Sequence, residues 1–265
     1  MTDSELDEEQ TPDELFRTAV LVEGGLGAIA LGAGYLVGPS ARDLVPTTEQ
    51  WEAIVGGIGL GIVATIPLLL FMSVLRRIKH PAIEKLDELS DHPMIGLMLK
   101  LNAWELLAIS LCAGVGEELL FRGWLMPFLA SMVGEGLSPA TEAFSLLPED
   151  VSVDRPWWAW GGFASQVALQ PDATATWTEQ FSSWWTATQG WPMVVALIGS
   201  SVLFGFVHPM TKLYIFVTGM MGFYFAVLLI LSGNLLIPIV AHALYDAVQL
   251  WSAASEAKST GTASD

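Results

Sequence analysis

The sequence has few cysteines and few basic residues, and each scarcity excludes a class of protein. A single cysteine, Cys112, cannot form a disulfide within the chain or supply a CxxC metal site. Only 11 Lys and Arg stand against 28 Asp and Glu among 265 residues, giving a net charge of −17. So acidic a chain is not expected to bind nucleic acid or to adhere to anionic lipid headgroups. The same excess suggests a halophilic protein adapted to high salt.

Long apolar runs are the abundant feature of this chain. Hydrophobic residues make up 52% of it and charged residues 15%, with a mean hydropathy of +0.51. Runs of this length are typical of membrane-spanning helices. We therefore predict an all-α fold, a polytopic membrane helix bundle of about six transmembrane helices. The predicted spans are about Phe16–Val37, Ile54–Leu75, Leu101–Met132, Met193–Val207, Leu213–Leu231 and Leu235–Trp251.

The distribution of basic residues predicts how the bundle is oriented. With the loop between the second and third spans placed in the cytoplasm, eight Lys and Arg lie inside and two, Arg42 and Arg155, lie outside. This is the bias expected of cytoplasmic loops. We therefore expect a multi-pass protein of the cell membrane with both termini cytoplasmic. The remaining basic residue, Arg122, falls inside a predicted span.

Composition divides the chain into four predicted parts. Residues 1–14, with seven acids, are expected to form a disordered tail. Residues 15–100 hold two spans and the basic cytoplasmic loop, residues 101–251 the core of the protein, and residues 252–265 a C-terminal tail. Within the core, the insert 135–191 carries seven of the eleven tryptophans and is expected to be extracytoplasmic.

Two features of the first two spans concern packing rather than chemistry. Gly57 and Gly61 are one turn apart in the second span, and small residues at this spacing let helix backbones approach closely. Glu23 is a single acid in the first span. We expect its side chain to extend to the membrane interface instead of joining a site.

The stretch "VGEELLFRGWL", residues 115–125, places three ionisable side chains inside an apolar run. Each charge costs roughly 2.5–3.5 kcal/mol within a bilayer, even on the mildest insertion scale. Glu118 and Arg122 are spaced i, i+4, so they share a helix face and are predicted to form an ion pair. Glu117 points about 100° away and has no local partner. A carboxyl group in that position suits a general acid or base.

Polar residues also interrupt two later spans. "FGFVHP" places His208 one turn after Phe204 at the end of the fourth span, and "AHALYDA" places Asp246 one turn after His242 in the sixth. Polar groups on separate apolar helices are costly unless they converge. They could form a structural polar core, but together with Glu117 they favour a functional site.

These three motifs, EExxxR, FxxxH and HxxxN/D, resemble the CPBP family over about Leu101–Trp251. That family takes in the CAAX prenyl endopeptidases and bacteriocin-processing proteins and was formerly called Abi. The resemblance implies an intramembrane glutamic endopeptidase without a metal or other cofactor. It implies a membrane-associated peptide or protein as substrate, with or without a prenyl group.

The resemblance also implies a role for each motif residue. Glu117 and His208 would activate a water for attack on the scissile carbonyl. His242 and Asp246 would line the cavity and help to stabilise the oxyanion. The supporting residues would be Glu118, Arg122 and Phe204.

One motif residue departs from the CAAX enzymes, which usually have Asn where this chain has Asp246. An ionised Asp cannot donate a hydrogen bond to an oxyanion. Asp246 would therefore have to be protonated, orient His242, or bind something positive. The insert 135–191 is a second departure, since it lengthens the chain between Arg122 and Phe204.

Two other functions are compatible with these residues. Glu117, His208, His242 and Asp246 could together bind Zn²⁺ in an intramembrane metalloprotease, although the chain has no HExxH motif. It also lacks GxSG and GxGD, the motifs of serine and aspartyl intramembrane proteases. Alternatively, the polar core could belong to a non-catalytic membrane scaffold or a proton-linked transporter.

Overall fold

A computed structural model describes residues 11–83, 93–133 and 190–260, and their regular secondary structure is helical. The predicted all-α class is confirmed. A 3₁₀ turn, Ala41–Leu44, follows the first helix, and a π-helix, Leu119–Leu125, joins the fourth helix to the fifth. The α-helices are α1 (Pro12–Val37), α2 (Trp51–Leu75), α3 (Pro93–Met98), α4 (Ala103–Glu118), α5 (Met126–Val133), α6 (Gly190–Phe206), α7 (Lys212–Ser232) and α8 (Leu236–Thr260).

Within the described residues, three helices are long and apolar enough to cross a membrane, namely α1, α2 and α7. The shorter α6 is also apolar. Large apolar side chains are exposed along α2, for example Val55, Ile62 and Leu70. Apolar side chains that a long helix exposes outside the protein core are suited to contact with lipid. The chain is therefore a membrane protein.

Several boundaries differ from those predicted. Helix α1 begins at Pro12 because the Thr11 side chain accepts a hydrogen bond from the Glu14 amide and the Glu14 carboxylate accepts one from the Thr11 amide. Residues 12–14, predicted as tail, are therefore helical. Helix α8 continues past Trp251 to Thr260. Residues 1–10 of the predicted N-terminal tail and, apart from Gly190 and Trp191, the tryptophan-rich insert lie outside the described residues.

Helix α8 is central to the packing, because it contacts α2, α4 and α7. The close approach predicted for Gly57 and Gly61 is confirmed. A Cβ atom on Gly57 would lie 2.9 Å from the Asn234 side chain, and one on Gly61 would lie 2.6 Å from Val240 Cβ. One turn further along α8, a Cβ on Gly114 would lie 2.8 Å from the backbone of Ala243. This second contact brings the end of α4 against α8 where the histidine motif lies.

Alanine substitutions in α2 test this packing. Gly61→Ala is expected to lower the free energy of unfolding by about 1–3 kcal/mol, because its Cβ would displace Val240. Gly59 is the matched control, since a Cβ there meets nothing within 4 Å. Gly59→Ala should be neutral or should stabilise the helix by up to about 1 kcal/mol. Unfolding of both variants in detergent measures the difference, and equal stabilities would contradict the close packing.

Candidate active site

Four helical elements bring the predicted site residues to one place in the bundle. Helix α4 ends with two of them, the π-helix supplies one, α6 and the turn just after it supply two, and α8 supplies two. π-helical turns are rare and are often found at functional sites. The residues that meet are Glu117, Glu118, Arg122, Phe204, His208, His242 and Asp246.

The ion pair predicted from spacing is present and fully buried. Arg122 Nη1 donates to Glu118 Oε1 at 2.9 Å, and neither side chain is exposed. The guanidinium also lies over the Phe204 ring, 4.1 Å from its centroid, and near Phe225 at 5.5 Å. Aromatic faces attract cations, most strongly where water is excluded. Phe204 therefore supports the pair directly.

Glu117 faces away from this pair and toward two histidines. Its Oε1 lies 3.6 Å from His208 Nε2, and its Oε2 lies 3.9 Å from His242 Nε2. The side chain is 9% exposed, and Oε2 has no hydrogen-bond partner within the described part of the chain. Glu117 is thus a buried carboxyl group that lies between two histidine rings.

The tautomer of His208 follows from its backbone contact. His208 lies just beyond α6, and its Nδ1 is 2.8 Å from the carbonyl oxygen of Phe204. A carbonyl only accepts, so Nδ1 carries the proton and the neutral ring has a lone pair on Nε2. This lone pair and Glu117 Oε1 are two acceptors 3.6 Å apart. A water lying beside them could donate one hydrogen to each.

His242 lies between the Glu118–Arg122 ion pair and Glu117. Its Nδ1 is 2.9 Å from Glu118 Oε1, and its Nε2 is 3.3 Å from Asp246 Oδ2. A carboxylate only accepts, so Nδ1 carries a proton. The ring also stacks on Phe225, with centroids 4.9 Å apart and planes 17° apart. Its orientation is therefore fixed on three sides.

A cavity of about 180 Å³ opens beside these side chains. Glu117, His208, His242 and Asp246 line one part of it. The sequence motifs did not identify the other lining residues, which come from the end of α2, from α7 and from α8. These are Met72, Arg76, Tyr214, Val217, Thr218, Met221 and Tyr245, and Phe204 lines the cavity as well.

Glu23 lies elsewhere than predicted. Its Oε2 is inaccessible to solvent and has no hydrogen-bond partner among the described residues, so the side chain does not reach out to the interface. The reason is the tight crossing of α1 and α4, where the Glu23 carbonyl oxygen lies directly against Gly116. The carboxyl group is held within electrostatic range of Glu117 and both histidines. The sequence did not indicate that Glu23 is buried near the site, because its burial depends on the crossing of α1 with Gly116 in another span.

The geometry does not favour the zinc-ligand set. Among the described residues, no group of three or more His, Cys, Asp or Glu side chains is arranged to hold a metal ion.

Comparison with protein families gives a match over more than half of the chain. Residues 99–248 match the family model described as Type II CAAX prenyl endopeptidase Rce1-like. Comparison with curated proteins and with solved structures gave no significant match. The matched residues include all three motifs. The chain therefore belongs to the Rce1-like CAAX prenyl endopeptidase family of membrane peptidases.

Proposed function

We propose that the protein is an intramembrane glutamic endopeptidase in which Glu117 and His208 activate the attacking water. One observation carries the proposal. Two acceptors, Glu117 Oε1 and His208 Nε2, face each other at 3.6 Å beside a cavity, and each could accept a hydrogen from the same water. A water held in this way has its lone pair free for a carbonyl carbon in the cavity.

The proton movements in this mechanism balance within the site. As the water oxygen bonds to the carbonyl carbon, one of its protons passes to Glu117 and the carbonyl oxygen becomes an oxyanion. When the tetrahedral intermediate collapses, the C–N bond breaks and Glu117 returns the proton to the leaving amine. The products are a carboxylic acid and an amine, and Glu117 is regenerated. His208 orients the water through its Nε2 lone pair.

His242 is the proposed oxyanion donor, with Asp246 as its orienting partner. The doubly protonated ring would present Nε2–H toward the cavity, near Glu117. Asp246 at 3.3 Å and Glu118 at 2.9 Å favour this ring orientation. Among the roles open to Asp246, its place beside Nε2 supports orientation of His242, because it would hold the Nε2–H until the oxyanion forms and takes that hydrogen bond. Glu118, on Nδ1, has the position of the carboxylate in a Ser-His-Asp triad.

The substrate, the orientation in the membrane and the adaptation to salt are proposed as well. The substrate would be a membrane-associated peptide or protein, with or without a prenyl group, reached from the cytoplasmic side of a multi-pass bundle with both termini inside. The basic loop after α2 and the position of His208 at the end of α6 support this orientation. The acidic excess supports a salt-adapted protein, so assays belong in high salt.

Peptide cleavage in the presence of a chelator tests the proposal. Purified protein should hydrolyse at least one fluorogenic membrane peptide from a panel of prenylated and unprenylated pairs. The rate should survive exhaustive chelation, with no zinc found by elemental analysis of the active sample. Activity that falls on chelation and returns with Zn²⁺ would instead identify a metalloprotease. A folded protein that cleaves nothing would favour the scaffold or the proton-linked transporter, and proton flux in liposomes separates those two.

A further inference from the structure

Glu23 is an acid near the site that the proposed hydrolytic chemistry does not use. It lies in α1, which precedes the residues 99–248 that match the family model. Its Oε2 is inaccessible to solvent, and the carboxyl group has no hydrogen bond or ion pair within the described residues. A buried charge without a partner is costly, whereas a protonated carboxyl group is neutral and donates a hydrogen bond. Glu23 is therefore suited to carry a proton.

The cationic groups near Glu23 are engaged elsewhere or lie far along its own helix. His242 lies 2.9 Å from Glu118 and 3.3 Å from Asp246, so two other carboxyl groups already contact its ring. In α1 itself the nearest Lys or Arg is the exposed Arg17, six residues away. The groups within electrostatic range of Glu23 are Glu117, His208, His242 and Asp246. A proton is thus the counterpart that the surroundings leave for this carboxylate.

Glu117 offers the acceptor that a protonated Glu23 needs. Its Oε1 faces His208 at 3.6 Å, whereas its Oε2 is buried without a hydrogen-bond partner among the described residues. His242 Nε2, at 3.9 Å, is too far from Oε2 for a hydrogen bond. The Glu23 carbonyl oxygen lies directly against Gly116, the residue before Glu117. Two neighbouring buried oxygens, Oε2 of each glutamate, therefore lack partners, and one proton between them satisfies both.

We propose that Glu23 is a positioning residue, whose protonated carboxyl group donates a hydrogen bond to Glu117 Oε2, directly or through one water. This bond would hold the Glu117 carboxylate with Oε1 toward His208 and the attacking water. Two carboxyl groups share one proton in this way in aspartic proteases. The shared proton stays with the pair, so Glu117 Oε1 alone takes up and returns the proton of the water. The effect on hydrolysis rests on the proposed endopeptidase function, whereas the shared proton does not.

Infrared spectroscopy of the full-length protein tests the shared proton without using activity. The carbonyl stretching band of a protonated carboxyl group is separate from the bands of carboxylates and shifts in D₂O. Wild type should show such a band that Glu23→Gln lacks and that Glu52→Gln, at an exposed acid of α2, retains. Glu117→Gln should shift the band, because the acceptor becomes a neutral amide. Identical spectra for wild type and Glu23→Gln, or a band that Glu117→Gln leaves unchanged, would overturn the proposal.

Peptide hydrolysis tests the positioning role. Glu23→Ala removes the donor, so kcat should fall about 10-fold to 100-fold, as for loss of a hydrogen bond to a charged group, with KM little changed. Glu23→Gln keeps an N–H donor and should recover most of this loss. Glu52→Gln should cleave at the wild-type rate. If Glu23→Ala does not fold, Glu23→Met takes its place, since it fills the space without a donor.

Two results would overturn the positioning role. One is wild-type activity in Glu23→Ala, and the other is a Glu23→Gln variant as slow as Glu23→Ala, which would mean that the site needs a second charge rather than a donor. Absence of hydrolysis by wild type would instead count against the endopeptidase function. The infrared spectra would still decide whether Glu23 and Glu117 share a proton.

Discussion

Replacement of Glu117 by glutamine is expected to abolish peptide hydrolysis and to leave the helix bundle folded. Gln has nearly the same shape, and it can still contact His208 and His242. It cannot accept a proton from water at the moment of attack. General-base catalysis by a positioned side chain contributes typically about 10²–10⁴-fold, so kcat should fall by at least about 100-fold. KM should change far less, because Glu117 contacts the water rather than the main body of the substrate.

The matched control is Glu52→Gln, an exposed acid in the first turn of α2. This variant should cleave peptides at the wild-type rate. Thermal unfolding in detergent should give the same midpoint for wild type and both variants. If Glu117→Gln keeps its activity, Glu117 is not the base and the 3.6 Å arrangement with His208 has another purpose. If the variant fails to fold, Glu117→Asp tests the role instead, since it keeps the charge and moves it away from His208.

Local spacing accounts for the parts of the fold and site that could be predicted. The spans follow from apolar run length, and the Glu118–Arg122 pair follows from the i, i+4 rule, because both partners belong to one helical segment. The same rule separates Glu117 from that pair. Convergence of the motifs could be expected, because isolated polar groups in apolar helices are costly. The family match over residues 99–248 agrees with the resemblance carried by the motifs.

Contacts between helices account for what could not be predicted. The bond from His242 to Glu118 joins residues 124 positions apart, and it depends on the Gly114–Ala243 crossing rather than on any motif. In the sequence, Arg76 indicated only that the loop after the second span is cytoplasmic. A basic residue at the end of a helix does not show that a cavity opens beside it. The π-helix was also unforeseen, because residues 119–125 are apolar apart from Arg122 and fit a regular helix equally well.

Loss of the buried cation at Arg122 is expected to have the largest effect on stability. Arg122→Met keeps much of the side-chain volume but leaves Glu118 buried without the guanidinium, with the His242 ring as its remaining partner. Removal of one partner of a buried pair typically costs about 3–5 kcal/mol, because the remaining charge stays away from water. Contacts with the Phe204 ring at 4.1 Å would change as well. Unfolding in detergent gives the loss, and Arg17→Met, at an exposed position on α1, should change stability by less than about 0.5 kcal/mol.

A second substitution separates the structural role of this pair from its role in the site. In Arg122→Met with Glu118→Gln, the uncompensated charge is gone, so much of the lost stability should return. Activity should not return with it, because His242 Nδ1 would then face a neutral amide instead of a carboxylate at 2.9 Å. Glu118 would no longer favour the doubly protonated ring that the oxyanion needs. Recovery of both stability and hydrolysis would show that Glu118 and Arg122 only hold the helices together, and that His242 acts without them.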